Sequence, residues 1–204
     1  TLKKYINLFG FKDFLLLAIC AFTRKYLLQK NLANVISQNN IPLYKFKNIN
    51  SIEFITAIKN LKIDLFISIA CPQIFQKELL CHSKNGAINL HGGFLPDFPG
   101  VLTPFWNLYK GSKYGGCSVH WINARVDSGP IINKLRFPLE NDSSIMSIYN
   151  KISKLGIPLL DKSLDQIYKN NHNYQENNYP DSNYNSFPTK KQIREFRKRR
   201  LRII

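Results

Sequence analysis

The chain has 204 residues, 29 Lys and Arg against 13 Asp and Glu, and 44% apolar residues including 14 Phe, 10 Tyr and 2 Trp. That content buries a core and excludes wholesale disorder, with length for one sizeable domain or two small ones. The longest apolar run, residues 14–22, is nine residues, too short for a bilayer span of about 20, and with Lys12 and Asp13 before it and no small-residue cleavage site after it a signal peptide is not expected.

Three stretches follow in chain order: a helical segment over 1–40, an α/β core over 41–170, and a polar linker with a basic tail over 171–204. Residues 10–30 read as a helix, with Phe11, Phe14, Leu15, Ala18 and Phe22 at helical spacing. A second helix runs to about Gln38, where Asn39-Asn40 breaks it, and 41–46 reads as a short strand. Ser51 is the expected N-cap of a helix that carries Glu53 in its first turn and ends near Leu61. Residues 63–70 form a nearly continuous apolar run of strand length, the pattern of a strand covered on both faces in a parallel sheet. A short helix over 72–80, a buried strand over 86–91, a helix over 104–109 and strands over 116–122 and 130–137 complete the core. Residues 143–170 are helical, with a break or kink expected near Gly156 and Pro158. Alternating strands and helices with short joins give an open α/β sheet. Six Asn within 171–188 mark the linker, which has little core to offer.

Charge and thiols narrow the classes further. Residues 189–204 hold eight Lys or Arg against Glu195 alone, whereas the lysines of the body are scattered among Asn, Ile and Tyr. The body therefore reads as an ordinary solvated surface, and nucleic acid is not the favoured partner. The tail reads as a helix docking weakly through Ile193 and Phe196, on a stripe with Leu201 and Ile204, or as a cationic element that steers anionic substrate. Cys20, Cys71, Cys81 and Cys117 lack CxxC spacing. No zinc cage or disulfide framework is expected, and a reduced, cytoplasmic setting fits.

The chemistry-bearing stretch is Gly86-Ala-Ile-Asn-Leu-His-Gly-Gly-Phe-Leu-Pro-Asp-Phe-Pro-Gly100. Asn89 and His91 lie two apart, so a strand points them to the same side. At the carboxyl edge of an open α/β sheet they face the crevice where ligands bind. An amide there donates to a carbonyl oxygen that gains negative charge, and an imidazole assists with protons. The alternative is a buried histidine bonded within a tight turn. Further on, Asp127 stands in an Asp-Ser-Gly-Pro turn between two apolar strands. It either orients His91 or caps the turn. His120, between Val119 and Trp121, reads as structural rather than catalytic.

Taken together, Asn89, His91, Leu95-Pro96, Phe98, Gly100 and Asp127-Ser128-Gly129 make residues 63–132 resemble the catalytic core of the folate-dependent formyltransferases. That family includes glycinamide ribonucleotide and methionyl-tRNA formyltransferases. The resemblance implies a Rossmann-like open sheet and a catalytic set of Asn89, His91 and Asp127. It implies a folate pocket lined by Ile69, Ala70, Cys71, Gln73, Ile74 and Phe75, with Val126 from the loop before Asp127. It implies 10-formyltetrahydrofolate as co-substrate, no metal, and no membrane partner. Pro99-Gly100 leans towards a small-molecule amine acceptor, a purine precursor or an amino sugar, rather than tRNA. The family's first strands and acceptor loop belong upstream of the aligned region, and no Gly-rich phosphate loop occurs between Thr1 and Ile41. With Thr1 in place of an initiator Met, the chain is expected to lack an N-terminal piece. The expected reaction is formyl transfer. Its rivals are a 10-formyltetrahydrofolate hydrolase and a non-catalytic, basic, nucleic-acid-binding relative.

Overall fold

Among the described residues, four strands lie in the sheet in the order of the sequence, β1 (Phe66–Ile69), β2 (Ala87–His91), β3 (Tyr114–Trp121) and β4 (Ile131–Pro138). They come from a computed structural model that describes residues 32–171 and 173–204, with Gly10 and Leu15. The helix expected over 10–30 lies outside the described residues apart from those two positions. Of the second helix, α1 (Leu32–Gln38) is described, and Asn40 ends it in the left-handed conformation at φ 53°.

The sheet is mixed. β1 pairs parallel to β2, while β3 runs antiparallel to both β2 and β4. The helices α2 (Ile52–Lys59), α3 (Lys77–Leu80), α4 (Thr103–Tyr109), α5 (Ile145–Tyr168) and α6 (Lys190–Lys198) complete the framework. Ser51 caps α2 as expected, accepting from the Phe54 N–H. No strand forms over 41–46; these residues are exposed, and an isolated strand has no ladder to satisfy its backbone groups. Among the described residues, the apolar run over 63–70 is not covered on both faces either. It supplies the edge strand β1, whose Ile67 and Ile69 are 45% and 52% exposed.

Two apolar clusters hold the fold. In the larger, α5 lays Ile148, Ile152, Leu159 and Leu160 against Ile88, Cys117, Val119, Ile132 and Phe137 of the sheet. The expected break at Pro158 does not occur, and α5 is continuous over Ile145–Tyr168. A proline inside a helix costs about 3 kcal/mol, which the burial of Leu159 and Leu160 directly after it offsets. Gly156 lets this helix approach closely, since a Cβ there would sit 3.2 Å from Leu90.

The second cluster joins Phe105 and Trp106 of α4 to Ile145 and to Ile193, Phe196 and Ile203 of the C-terminal segment. Residues 171–188 are likewise more than a linker: Asn177, Tyr179 and Asn185 are buried. They are held through hydrogen bonds to the loops they cross, so polar composition does not mark them as loose.

Candidate active site

β2 delivers Asn89 and His91 to one side of the sheet, and its antiparallel partner β3 places His120 directly opposite Asn89. The β3–β4 register slips between Val119 and His120, an irregularity of the kind that re-aims a side chain. The loop between β3 and β4 then brings Asp127 over the pair. Asp127 adopts φ 49°, a left-handed conformation that costs most residues about 1–2 kcal/mol and that Asp tolerates better than others.

The hydrogen bonds fix the ring tautomers. His120 Nδ1 lies 2.8 Å from the Trp121 carbonyl, which can only accept, so Nδ1 carries a proton. In the neutral ring Nε2 is then an acceptor, and it receives the Asn89 Nδ2 N–H at 3.2 Å. One N–H of the Asn89 amide remains for a ligand. By the same argument His91 Nε2 donates to the Phe98 carbonyl at 2.8 Å, which turns its Nδ1 towards Asp127 Oδ2 at 3.5 Å.

Asp127 sits between the two imidazoles. Its Oδ2 also accepts the Gly100 N–H at 2.8 Å, and its Oδ1 faces His120 Nε2 at 3.6 Å. Burial pushes its carboxyl up, but the positive charge that His120 and His91 carry when protonated, with the Gly100 N–H, outweighs burial and holds it below the ordinary carboxylate value. His91 is shifted the other way. Its burial disfavours the imidazolium and outweighs the opposing pull of Asp127, so its pKa lies below the usual 6.5. At neutral pH the pair is a carboxylate beside a neutral imidazole.

A cavity of about 320 Å³ opens on this group, lined on one flank by Cys71, Pro72, Gln73, Ile74 and Phe75 and on the other by Ile122, Val126 and Tyr184. Asn89, His120 and Asp127 are in its wall. His91, 7% exposed, is not among the lining residues and stands behind Asp127. Of the residues expected to line the pocket, Cys71, Gln73, Ile74, Phe75 and Val126 do so, while Ile69 and Ala70 are exposed on the edge strand side and do not. Gln73 is fixed by the Ile49 N–H at 3.0 Å and by donating to the Lys47 carbonyl at 3.0 Å. Among the described residues no group of three or more His, Cys, Asp or Glu is placed to hold a metal ion.

His120, Val101, Asn123 and Tyr184 also belong to the site. Of these, sequence reasoning weighed His120 and set it aside. Its signal is the cross-strand register, which composition and spacing do not carry. Gly93 fits the site closely: a Cβ there would meet the Phe98 carbonyl and lie 2.7 Å from His91 Nε2.

The chain is similar to known proteins over most of its length. The model of the family described as formyl transferase matches residues 16–164, well over half of the chain. A methionyl-tRNA formyltransferase of Prochlorococcus marinus is 33% identical over 134 residues, which is 65% of this chain and 41% of that protein. The structure of a sugar N-formyltransferase from a Shewanella species superposes with a TM-score of 0.60 at 27% identity, covering 77% of this chain and 60% of that one. An N-formyltransferase from Helicobacter canadensis, in complex with folinic acid and dTDP-3-aminofucose, shares the fold with a TM-score of 0.64 at 22% identity, covering 85% and 67%. The chain spans less than half the length of the curated relatives it matches.

Proposed function

The chain belongs to the formyl transferase family, and from that premise we propose that it moves a formyl group from 10-formyltetrahydrofolate to the primary amine of a small molecule, an amino sugar before others. The observation that carries this reading is the cavity wall in which Asn89, His120 and Asp127 meet beside a largely apolar flank. The flank suits a flat heteroaromatic ring: Ile74, Phe75, Ile122 and Val126 supply apolar contact, and the volume falls at the lower end of small-molecule sites, about 300–1,000 Å³.

The donor, when bound, supplies a formyl carbon activated by its bond to a weakly basic nitrogen. Asn89 directs its second N–H at the oxygen that gains negative charge as the amine adds. His120, by holding the other N–H, fixes the direction of that amide. Asp127 takes the surplus proton of the amine in the cavity wall. His91 Nδ1, unprotonated and facing Asp127, receives that proton or stabilises it, and the proton returns to the departing nitrogen. The sugar acceptor is supported by the likeness to the Shewanella enzyme, which extends over 77% of this chain.

The test uses donor labelled in the formyl carbon, with a nucleotide-linked amino sugar, glycinamide ribonucleotide or methionyl-tRNA as acceptor. Label is expected in an amide of the amino sugar. Label in formylated methionyl-tRNA or ribonucleotide alone would move the acceptor assignment. Release as formate alone, or donor left intact with every acceptor, would overturn the transfer itself.

A further inference from the structure

Residues 173–188 form a strap over both loops of the site. Gln175 exchanges backbone hydrogen bonds with Ile131, 2.8 Å in each direction. Asn177 Nδ2 then donates to the carbonyls of Asp127 and Gly129, each at 2.8 Å. The Tyr179 hydroxyl donates to the Val126 carbonyl. Arg125 returns the contact, donating to the Tyr179 carbonyl at 2.8 Å with its guanidinium 4.3 Å from the Tyr179 ring centre. Further along, the N–H and the amide of Asn185 both donate to the Pro99 carbonyl, and its own carbonyl accepts from Val101 at 2.8 Å.

Asn177 is the informative member of the strap. It is 4% exposed, and two carbonyls at 2.8 Å demand a nitrogen with two N–H groups, so the direction of its amide is fixed. Its Oδ1 is buried without a hydrogen-bond partner. A buried acceptor left unpaired is destabilising, so the placement serves the two carbonyls rather than the asparagine. Those carbonyls bracket Asp127-Ser128-Gly129, the turn in which Asp127 holds a left-handed backbone. Gly129 is pinned as well, since a Cβ there would overlap the Trp121 carbonyl.

We infer that Asn177 is a positioning residue for Asp127: its buried amide ties both ends of the turn and so keeps the carboxylate between His91, His120 and the Gly100 N–H. The inference rests on the reading that Asp127 serves the site, and it names an element outside the catalytic loops on which that carboxylate depends. Without the tie the turn relaxes towards ordinary backbone angles and the carboxylate moves off His91.

The experiment follows the His91 ring by NMR titration in the full chain, its signal assigned with His91→Gln. His91 faces Asp127 and His120, and Asp127 in turn faces both rings, with Tyr179 and Tyr184 as neutral phenols nearby. A carboxylate beside a histidine raises its pKa by about 1–3 units. Asp127→Asn and Asn177→Ala should therefore each lower the His91 midpoint by about one pH unit. Asn177→Ser, which keeps one donor, should fall between. Adding Asn177→Ala to Asp127→Asn should change the midpoint no further. A wild-type midpoint in both Asn177 variants, or an equal further shift in the Asp127→Asn background, would overturn the inference. If the alanine variant does not fold, the serine variant and its combination with Asp127→Asn decide the matter by the same criteria. The titration needs no turnover, so failure of formyl transfer would leave it readable and would count against the proposed reaction instead.

Discussion

His91 and Asp127 are buried neighbours that both bind protons less readily in the folded chain, so both lose stability towards acid pH. The folded His91 binds its proton less readily than the unfolded chain does. Stability is therefore full above the unfolded value of about 6.5 and declines as pH falls through the lower, folded value. Asp127, whose folded pKa is depressed below 3.8, adds a second loss only at more acid pH. Denaturation midpoints measured between pH 7.5 and 5 should fall with pH in the wild type and fall less steeply in His91→Gln; equal slopes would contradict the buried neutral ring. His120→Ala removes the acceptor that orients Asn89, worth about 1 kcal/mol and so several-fold to tenfold in turnover. A kcat within twofold of wild type would show that Asn89 holds its direction without it. At this scale the sequence carried Asn89 and His91 openly, because a period of two on a strand puts them on one side. His120 was hidden, because its role comes from standing opposite Asn89 on another strand, and alternation with Val119 and Trp121 is equally consistent with a buried structural histidine.

The strands and helices of the core were legible wherever apolar period and caps agreed, as at Ser51 and along β2, β3 and β4. They were not legible where a segment's partner decides its state. Residues 41–46 have strand composition and, among the described residues, no strand to pair with, and residues 171–188 have linker composition yet are fastened by side-chain amides. The C-terminal tail shows the same limit within one stripe. Ile193 and Phe196 are buried on α6, but the helix ends at Lys198, turns at Arg199-Arg200 with Arg200 at φ 54°, and the chain then extends, with Arg202 bridged to Ser144. Extended backbone alternates sides, so Ile203 is buried and Ile204, expected on the helical stripe, is 39% exposed. Docking is therefore not weak: Phe196 stacks on Phe105 with ring centres 4.7 Å apart. Phe196→Ala should cost about 3–5 kcal/mol, the range for buried Phe truncation, measured by denaturant unfolding. A loss below 1 kcal/mol would mean that α6 is an appendage after all.

At the scale of the molecule, +7 of the net charge of +16 falls within residues 189–204, where α6 turns its polar face outward. Lys190, Lys191, Arg194 and Lys198 are exposed on a helix that the core holds in place. A fixed cationic face attracts anionic substrate over a distance set by salt, about 10 Å at 0.1 M. Replacing these four residues with Gln keeps the buried face intact, unlike deletion of the tail. Substrate capture, read as kcat/KM, should slow in the variant at low ionic strength and match wild type at high salt. A loss that persists at high salt would point to direct contact in place of steering.

The wall of Asn89, His120 and Asp127 is proposed to perform formyl transfer, and Asn89 is the group on which that proposal bears most directly. Single-turnover transfer from 10-formyltetrahydrofolate should be measured in wild type and Asn89→Ala, alongside the affinity of each for folinic acid. Loss of one oxyanion donor costs about 10²–10³ in rate. The account predicts a loss of that size with folinic acid affinity within a few-fold of wild type. Transfer by Asn89→Ala at a near-normal rate would contradict it.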